Sequence, residues 1–183
     1  MSYDNPFLLL VVLDGLMALP FMLVARRQFR AQGRWSRPVA VWSGVVMHGL
    51  ALATVGLAVT DAGSGYPPAL ASWGLGGLLI AFGLAVLVAG RIAYGSQRRV
   101  YGLLEDQLIE AGIYRWSRNP QYLGYGAAFL GAAVMSGSTL AYLSFAVYAM
   151  VVHAFIVKVE EPHLGRVFGE DFARYRGRVR RYV

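Results

Sequence analysis

"NPQYLGYGAAFLGAAVMSGSTLAYLSFAVYAMVVHAFIVKVEEP", residues 119–162, decides the fold. It holds two apolar runs joined by Ser136-Gly137-Ser138. The first run, Pro120 to near Met135, opens on Asn119-Pro120. This step reads as a helix N-cap followed by the first helical residue, because asparagine accepts from free first-turn amides and proline has none to satisfy. The run is short for a full span, which predicts a tilted or partly interfacial helix. The second, Thr139 to about Val157, stops at Glu160-Glu161-Pro162. A three-residue link makes the pair a helical hairpin, so its two polar ends are neighbours.

The rest of the chain extends this pattern. Three further apolar runs cover about Pro6 to Ala25, Pro38 to Thr60 and Leu70 to about Ala93. A membrane-crossing helix needs roughly 20 such residues. The expectation is one all-α integral membrane domain over 1–183, with three N-terminal spans in 1–93. The loop, hairpin and tail of 94–183 would carry the chemistry. Composition agrees: 57% of residues are apolar and 15% charged, with mean hydropathy +0.48. A soluble domain has about 45–50% and about 25%. Cysteine is absent, which excludes disulfides, thiolate metal sites and cysteine nucleophiles. No arginine or lysine precedes the first run, so a cleaved leader is not expected.

The net charge of +7 is a topology signal. Of the 17 basic residues, five lie in "RRQFRAQGRWSR" (26–37), five between Arg91 and Arg118, and seven between Lys158 and Arg181. None lies in 1–25, 61–70 or 136–138. Alternate connections thus hold all the positive charge, which places the N-terminus outside and the C-terminus in the cytoplasm. The same charge attracts anionic lipid, and nucleic acid is not an expected partner. Gly76, Gly83 and Gly90 repeat every seven residues on one face of the third run. Gly124 with Ala128 and Ala127 with Gly131 form small-xxx-small pairs on the fourth. Such faces let helix backbones approach closely.

Two polar segments flank the hairpin. "GIYRWSRN" (112–119) puts Arg115 and Arg118 before a helix N-terminus, where the dipole favours an anion. Its aromatic residues also fit an ordinary interfacial belt. "KVEEPHLGRVFGEDFARYRGRVRRYV" (158–183) begins with paired carboxylates, costly beside a membrane unless partnered or functional. From Leu164 it reads as a basic amphipathic helix, with Leu164, Phe168, Phe172 and Tyr175 on one face and the membrane surface as its expected bed. Between an anion site and a carboxylate pair, a zwitterion fits.

These residues resemble a known family. "GIYRWSRNPQYLG" is similar to the "G-P-Y-R-x-x-R-[HN]-P-x-Y-x-G" motif of the isoprenylcysteine carboxyl methyltransferase and phospholipid N-methyltransferase superfamily. "VEEPHLGRVFGEDFARYRGRVRRYV" is similar to its "E-E-x-x-L-x-x-x-F-G-x-x-Y-x-x-Y-x-x-x-V-x-R". The match covers about residues 105–183. Ile113 stands where proline is usual, Phe172 replaces a tyrosine, and Asp106-Gln107 lies where a histidine is frequent. Asn119 stands where the protein-carboxyl branch commonly has histidine and where asparagine is common in bacterial members; a bacterial inner membrane is the expected location.

The resemblance implies S-adenosylmethionine as methyl donor and a membrane-partitioned acceptor: an isoprenylcysteine-like carboxylate or another lipophilic O, N or S nucleophile. It implies a donor pocket of Gly112, Tyr114, Asn119, Pro120, Tyr122 and Leu123, closed by Glu160 and Glu161, with Gly124 allowing close backbone approach. Arg118, Glu160 and Glu161 are the expected catalytic residues. His153, two turns before Glu160, and Arg174 are the expected acceptor contacts; Arg115 is a further cation able to orient an anionic acceptor.

No H-E-x-x-H spacing occurs, so no metal is expected. His48 lies mid-span as a candidate interhelical hydrogen-bonder, and His163 reads as interfacial. Asp14 is an unusual acid within the first span. Rival readings are a membrane reductase of the sterol type, which would bind NADPH, and a non-enzymatic scaffold or transporter. Polar residues gathered at one face, with no path across the membrane, speak against a transporter.

Overall fold

A computed structural model describes residues 5–104 and 107–183; Asp106 lies outside the described residues. Helix α1 is Pro6–Gln32, α2 Arg37–Thr60, α3 Leu70–Tyr94 and α4 the short Gln97–Val100. A 3-10 turn, Gly112–Arg115, precedes α5 (Pro120–Ser136) and α6 (Thr139–Phe155). A π turn, Ile156–Glu160, leads into α7 (Glu161–Arg178). No strand occurs among the described residues. Four helical runs are long and apolar enough to cross a membrane: α1, α2, α3 and the continuous run Thr139–Arg178. The apolar part of that last run ends at Val157, so Glu160 and Glu161 stand beyond it. With 17 residues, α5 falls short of a full span, as its sequence predicted.

Local chemistry fixes the helix ends. Asn5 caps α1 by accepting from the Phe7 amide at 3.0 Å, and Ser138 caps α6 by accepting from Ala141 at 3.0 Å. Gly137 takes φ 63° between α5 and α6, the left-handed value a tight hairpin needs. Asp61 anchors this corner, accepting from Ser138 Oγ at 2.7 Å and from the Leu140 amide at 3.1 Å.

The heptad of glycines does what its spacing predicts. Gly76, Gly83 and Gly90 are the buried residues of α3, and α5 is its principal neighbour. A Cβ on Gly83 would strike the Gly124 carbonyl and the Ala128 amide, and one on Gly76 would strike Gly131 and Met135. Gly83→Val is therefore expected to cost about 1–3 kcal/mol by overpacking. Gly77→Ala, with open space around the new methyl, is expected to raise stability by at most about 1 kcal/mol. Thermal melts in detergent check both, and equal melting of the two variants would contradict this seam.

The tail departs from its expected bed. Phe172 and Tyr175 are buried together, packed against Leu108, Leu164 and Phe168. The apolar face of α7 thus meets protein, with a bend at Gly169 (φ 50°) midway. His163 is buried at 1% exposure, stacked on Phe29 with ring centroids 3.7 Å apart, instead of sitting at the interface. Burial, then Arg166, pushes its pKa down to about 4, so it is neutral.

Candidate functional site

Two cavities meet at the polar end of the hairpin. The larger holds about 1000 Å³ counted to its mouth and has walls from α1, α2, α3, α5 and α6. The smaller, about 540 Å³, lies between the segment after α3 and the tail helix α7. Tyr94, Tyr114, Arg118, Asn119 and Glu160 line both. Ligand cavities are typically 300–1,000 Å³, mostly apolar, with a few convergent polar groups.

The positions of these five follow from local structure. Gly112 adopts φ 59° and starts the 3-10 turn. That turn buries Tyr114, whose hydroxyl accepts from Gln121 Nε2 at 3.0 Å and whose carbonyl accepts from Tyr175 at 2.8 Å. Asn119 sits at the N-cap position of α5 but makes no side-chain cap. Its Nδ2 instead donates to the Arg181 carbonyl at 3.0 Å, and the Arg118 amide donates to the Arg180 carbonyl at 3.0 Å. The chain's last residues therefore fold back against the start of α5. The cap expected from Asn-Pro is displaced by this longer-range partner.

The two glutamates divide. Glu161 lies 2.9 Å from Arg118 Nη1 and accepts two bonds from Arg181, each 2.9 Å. Burial works to raise its pKa, but Arg181 and Arg118 overcome this and hold the carboxyl below its usual range. Glu161 is thus neutralised inside the protein and is not free for a ligand's ammonium. Glu160 is the opposite case. Its Oε2 is buried without a partner. Burial pushes its pKa up to about 7, with the Tyr122 hydroxyl opposing by hydrogen bond and Glu161 adding to the rise. Arg118 also keeps a buried Nε without a partner, under cation–π contact with Phe172 at 5.9 Å. One unpaired carboxylate oxygen and one unpaired guanidinium donor thus line the same junction.

Several expected residues lie elsewhere. Gly124 is turned to α3, where its missing side chain admits Gly83 and Leu87, so its closeness serves helix packing and not a ligand. Pro120, Leu123 and His153 line a separate apolar groove along α5 and α6. Seven residues would put His153 and Glu160 on one face of an unbroken α-helix. The wider π turn between them sets Glu160 back, and His153 bonds instead to the Tyr182 hydroxyl at 2.9 Å. Arg174 is exposed and paired with Asp171 and Glu170 on the tail. His48 bonds within its own helix, to the Gly44 carbonyl at 2.7 Å, and lines the larger cavity. Asp14 is buried against Gly49.

Sequence reasoning missed the contribution of α1, α2 and the link between them, whose Phe21, Met47 and Trp35 form a wall of the larger cavity. It also missed Arg91, Tyr94, Gln121 and Tyr125. A lone arginine closing an apolar span was the one visible signal among them.

Comparison with known proteins gives the family. A family model described as phospholipid methyltransferase matches residues 72–171, from α3 into α7. The chain belongs to the phospholipid methyltransferase family. A phosphatidylethanolamine N-methyltransferase of Laccaria bicolor is 32% identical over 123 residues, 59% of this chain and 13% of that protein. The protein-S-isoprenylcysteine O-methyltransferase of Saccharomyces cerevisiae is 31% identical over 75 residues, 39% of this chain and 30% of its own length. Its human counterpart is 33% identical over 75 residues, covering 39% and 25%. These matches to family relatives span less than a third of each relative's length. No solved structure matches the chain.

Proposed function

We propose that this protein transfers a methyl group from S-adenosylmethionine to a lipophilic acceptor at the cytoplasmic face of its membrane. The observation that carries this reading is the pair of unpartnered, buried, oppositely charged atoms, Glu160 Oε2 and Arg118 Nε, at the junction of the two cavities. Buried polar atoms are otherwise nearly always hydrogen-bonded. An amino-acid zwitterion supplies both missing partners. The family's named relatives, which act on phosphatidylethanolamine or isoprenylcysteine, support the same reading.

When bound, the donor supplies an electrophilic methyl group. Glu160 holds its ammonium, and Arg118 Nε holds its carboxylate. Glu161 does not bind the ligand; with Arg181 it fixes Arg118 in place. Tyr114 and Tyr122 wall the junction, and Tyr122 orients the Glu160 carboxylate. The larger cavity takes the acceptor's hydrocarbon chain and excludes water. Catalysis then rests on alignment of the two reactants.

A single experiment tests the activity and its side of the membrane. Methyl-labelled donor, itself charged and impermeant, is given to inside-out vesicles and to sealed right-side-out ones in the presence of phosphatidylethanolamine, prenylcysteine analogues and hydrophobic thiols. Label is expected in lipid-soluble product from inside-out vesicles alone. No product in either orientation would refute the transfer; product only from right-side-out vesicles would reverse the topology.

A further inference from the structure

Two cations line the larger cavity, Arg91 and Arg118. Arg118 is paired with Glu161. Among the described residues no carboxylate lies within 4.0 Å of Arg91. It stands in the last turn of α3. Arginine there often serves as an anchor whose head reaches outward to lipid phosphates or water. Arg26, Arg27, Arg30 and Arg98 are exposed in that manner. Arg91 turns inward instead. Its Nη1 donates to Gln97 Oε1 at 3.2 Å, and the side chains of Tyr101 and Tyr125 lie beside it. All three neighbours are neutral, and both tyrosines line the same cavity.

The fold places Arg91 there. Gly90, its neighbour, packs against Gln121 of α5, and Tyr125 is one turn further along that helix. The glycine seam therefore brings the α3 terminus against the α5 face that looks into the cavity. A cation beside apolar walls without an anion is costly and marks a functional position. A planar guanidinium with unused donors suits a phosphate or carboxylate, which it grips with two parallel bonds.

We propose that Arg91, with the hydroxyls of Tyr101 and Tyr125, is the subsite that holds the anionic group of the methyl acceptor. That group is a phosphodiester or carboxylate close to the accepting atom. The proposal rests on the reading of the larger cavity as the acceptor's chamber. It divides the charges of the site by ligand: Arg118 and Glu160 face the donor, and Arg91 faces the acceptor. Arg115 and Arg174, both exposed, do not reach that chamber.

The test is binding, read separately from turnover. Purified protein in detergent is offered dioleoylphosphatidylethanolamine, N-acetyl-S-farnesylcysteine and, as an uncharged probe, hexadecanethiol, and retention is followed by native mass spectrometry. Arg91→Gln is expected to lower retention of an anionic probe at least tenfold, with Arg91→Lys recovering part of it. Hexadecanethiol retention and calorimetric affinity for S-adenosylmethionine are expected to stay within twofold. Dependence for the phosphodiester alone, or for the carboxylate alone, supports the subsite and names its anion. Equal retention by wild type and Arg91→Gln overturns it, as does a parallel loss of the uncharged probe or the donor. A wild type that shows Arg91-dependent retention yet transfers no methyl refutes the proposed activity and leaves the anion subsite standing.

Discussion

Glu160→Gln is expected to lower the affinity for S-adenosylmethionine about 10- to 100-fold while the protein melts no lower than wild type. The magnitude follows from losing one charge-assisted hydrogen bond, about 1.5–3 kcal/mol. Retention of the fold follows because Glu160 Oε2 has no partner among the described residues, so amidation breaks no ion pair seen there. The pH dependence adds a second readout. With the carboxyl pushed up to about 7 by burial, the charged form that attracts an ammonium is lost as pH falls through 7. Affinity should therefore rise between pH 6 and pH 8 in the wild type and stay flat in Glu160→Gln. Stability runs the other way. A carboxyl whose folded pKa is raised contributes fully at low pH, and that contribution is lost as pH rises from its unfolded value of 4.5 through 7. Isothermal calorimetry across that range measures the first slope and thermal melting the second. An affinity unchanged by Glu160→Gln would remove this residue from the donor site.

The neighbouring residue is expected to behave oppositely. Glu161→Ala should destabilise the protein by about 3 kcal/mol, because it leaves the Arg118 charge buried and unpaired. The side chains of Arg118 and Glu161 are only 9% and 12% exposed. The Arg181 arm, a third exposed, contributes less. For a chain of this size the loss corresponds to a fall of roughly 6–12 °C in melting temperature. Wild-type stability should also decline as pH drops below 4.5, since a carboxyl held low contributes stability above its unfolded pKa and loses it through the folded one. Glu161→Ala should lack that acid limb. Adjacent residues of one chemical type would thus be separated cleanly: one variant that folds but binds poorly, and one that folds poorly. A Glu161→Ala protein with wild-type melting would show the Arg118–Glu161–Arg181 cluster to be energetically idle.

Much of the helix arrangement could be read from spacing alone. Apolar run lengths located the helices, Ser136-Gly137-Ser138 located the hairpin, and the seven-residue glycine repeat identified which face of α3 would be covered. These are local or periodic properties, and periodicity is written directly into a chain. The site was only half legible for the same reason. The meeting of Arg118 with the Glu160-Glu161 step followed from hairpin geometry. The assignment of one glutamate to structure and the other to an open cavity depended on Arg181, and no short-range pattern announces that return. A π turn likewise left no mark in the sequence, and it moved His153 into another groove. Gly124 was read as a ligand contact because its motif position was known, whereas its neighbour in space, Gly83, was not. Arg91 was counted among topology charges, because direction along a helix end cannot be inferred from residue type.

The return of the C-terminal residues has a consequence for how the protein is made. Arg118 and Glu161 are synthesised before Arg181, their last partner. Until that residue arrives, Asn119 has no Arg181 carbonyl to bind and Glu161 lacks its paired bonds. The charge cluster therefore closes only after the C-terminal residues have been made, so completion of the site follows the order of translation and not the order of helices in the bundle.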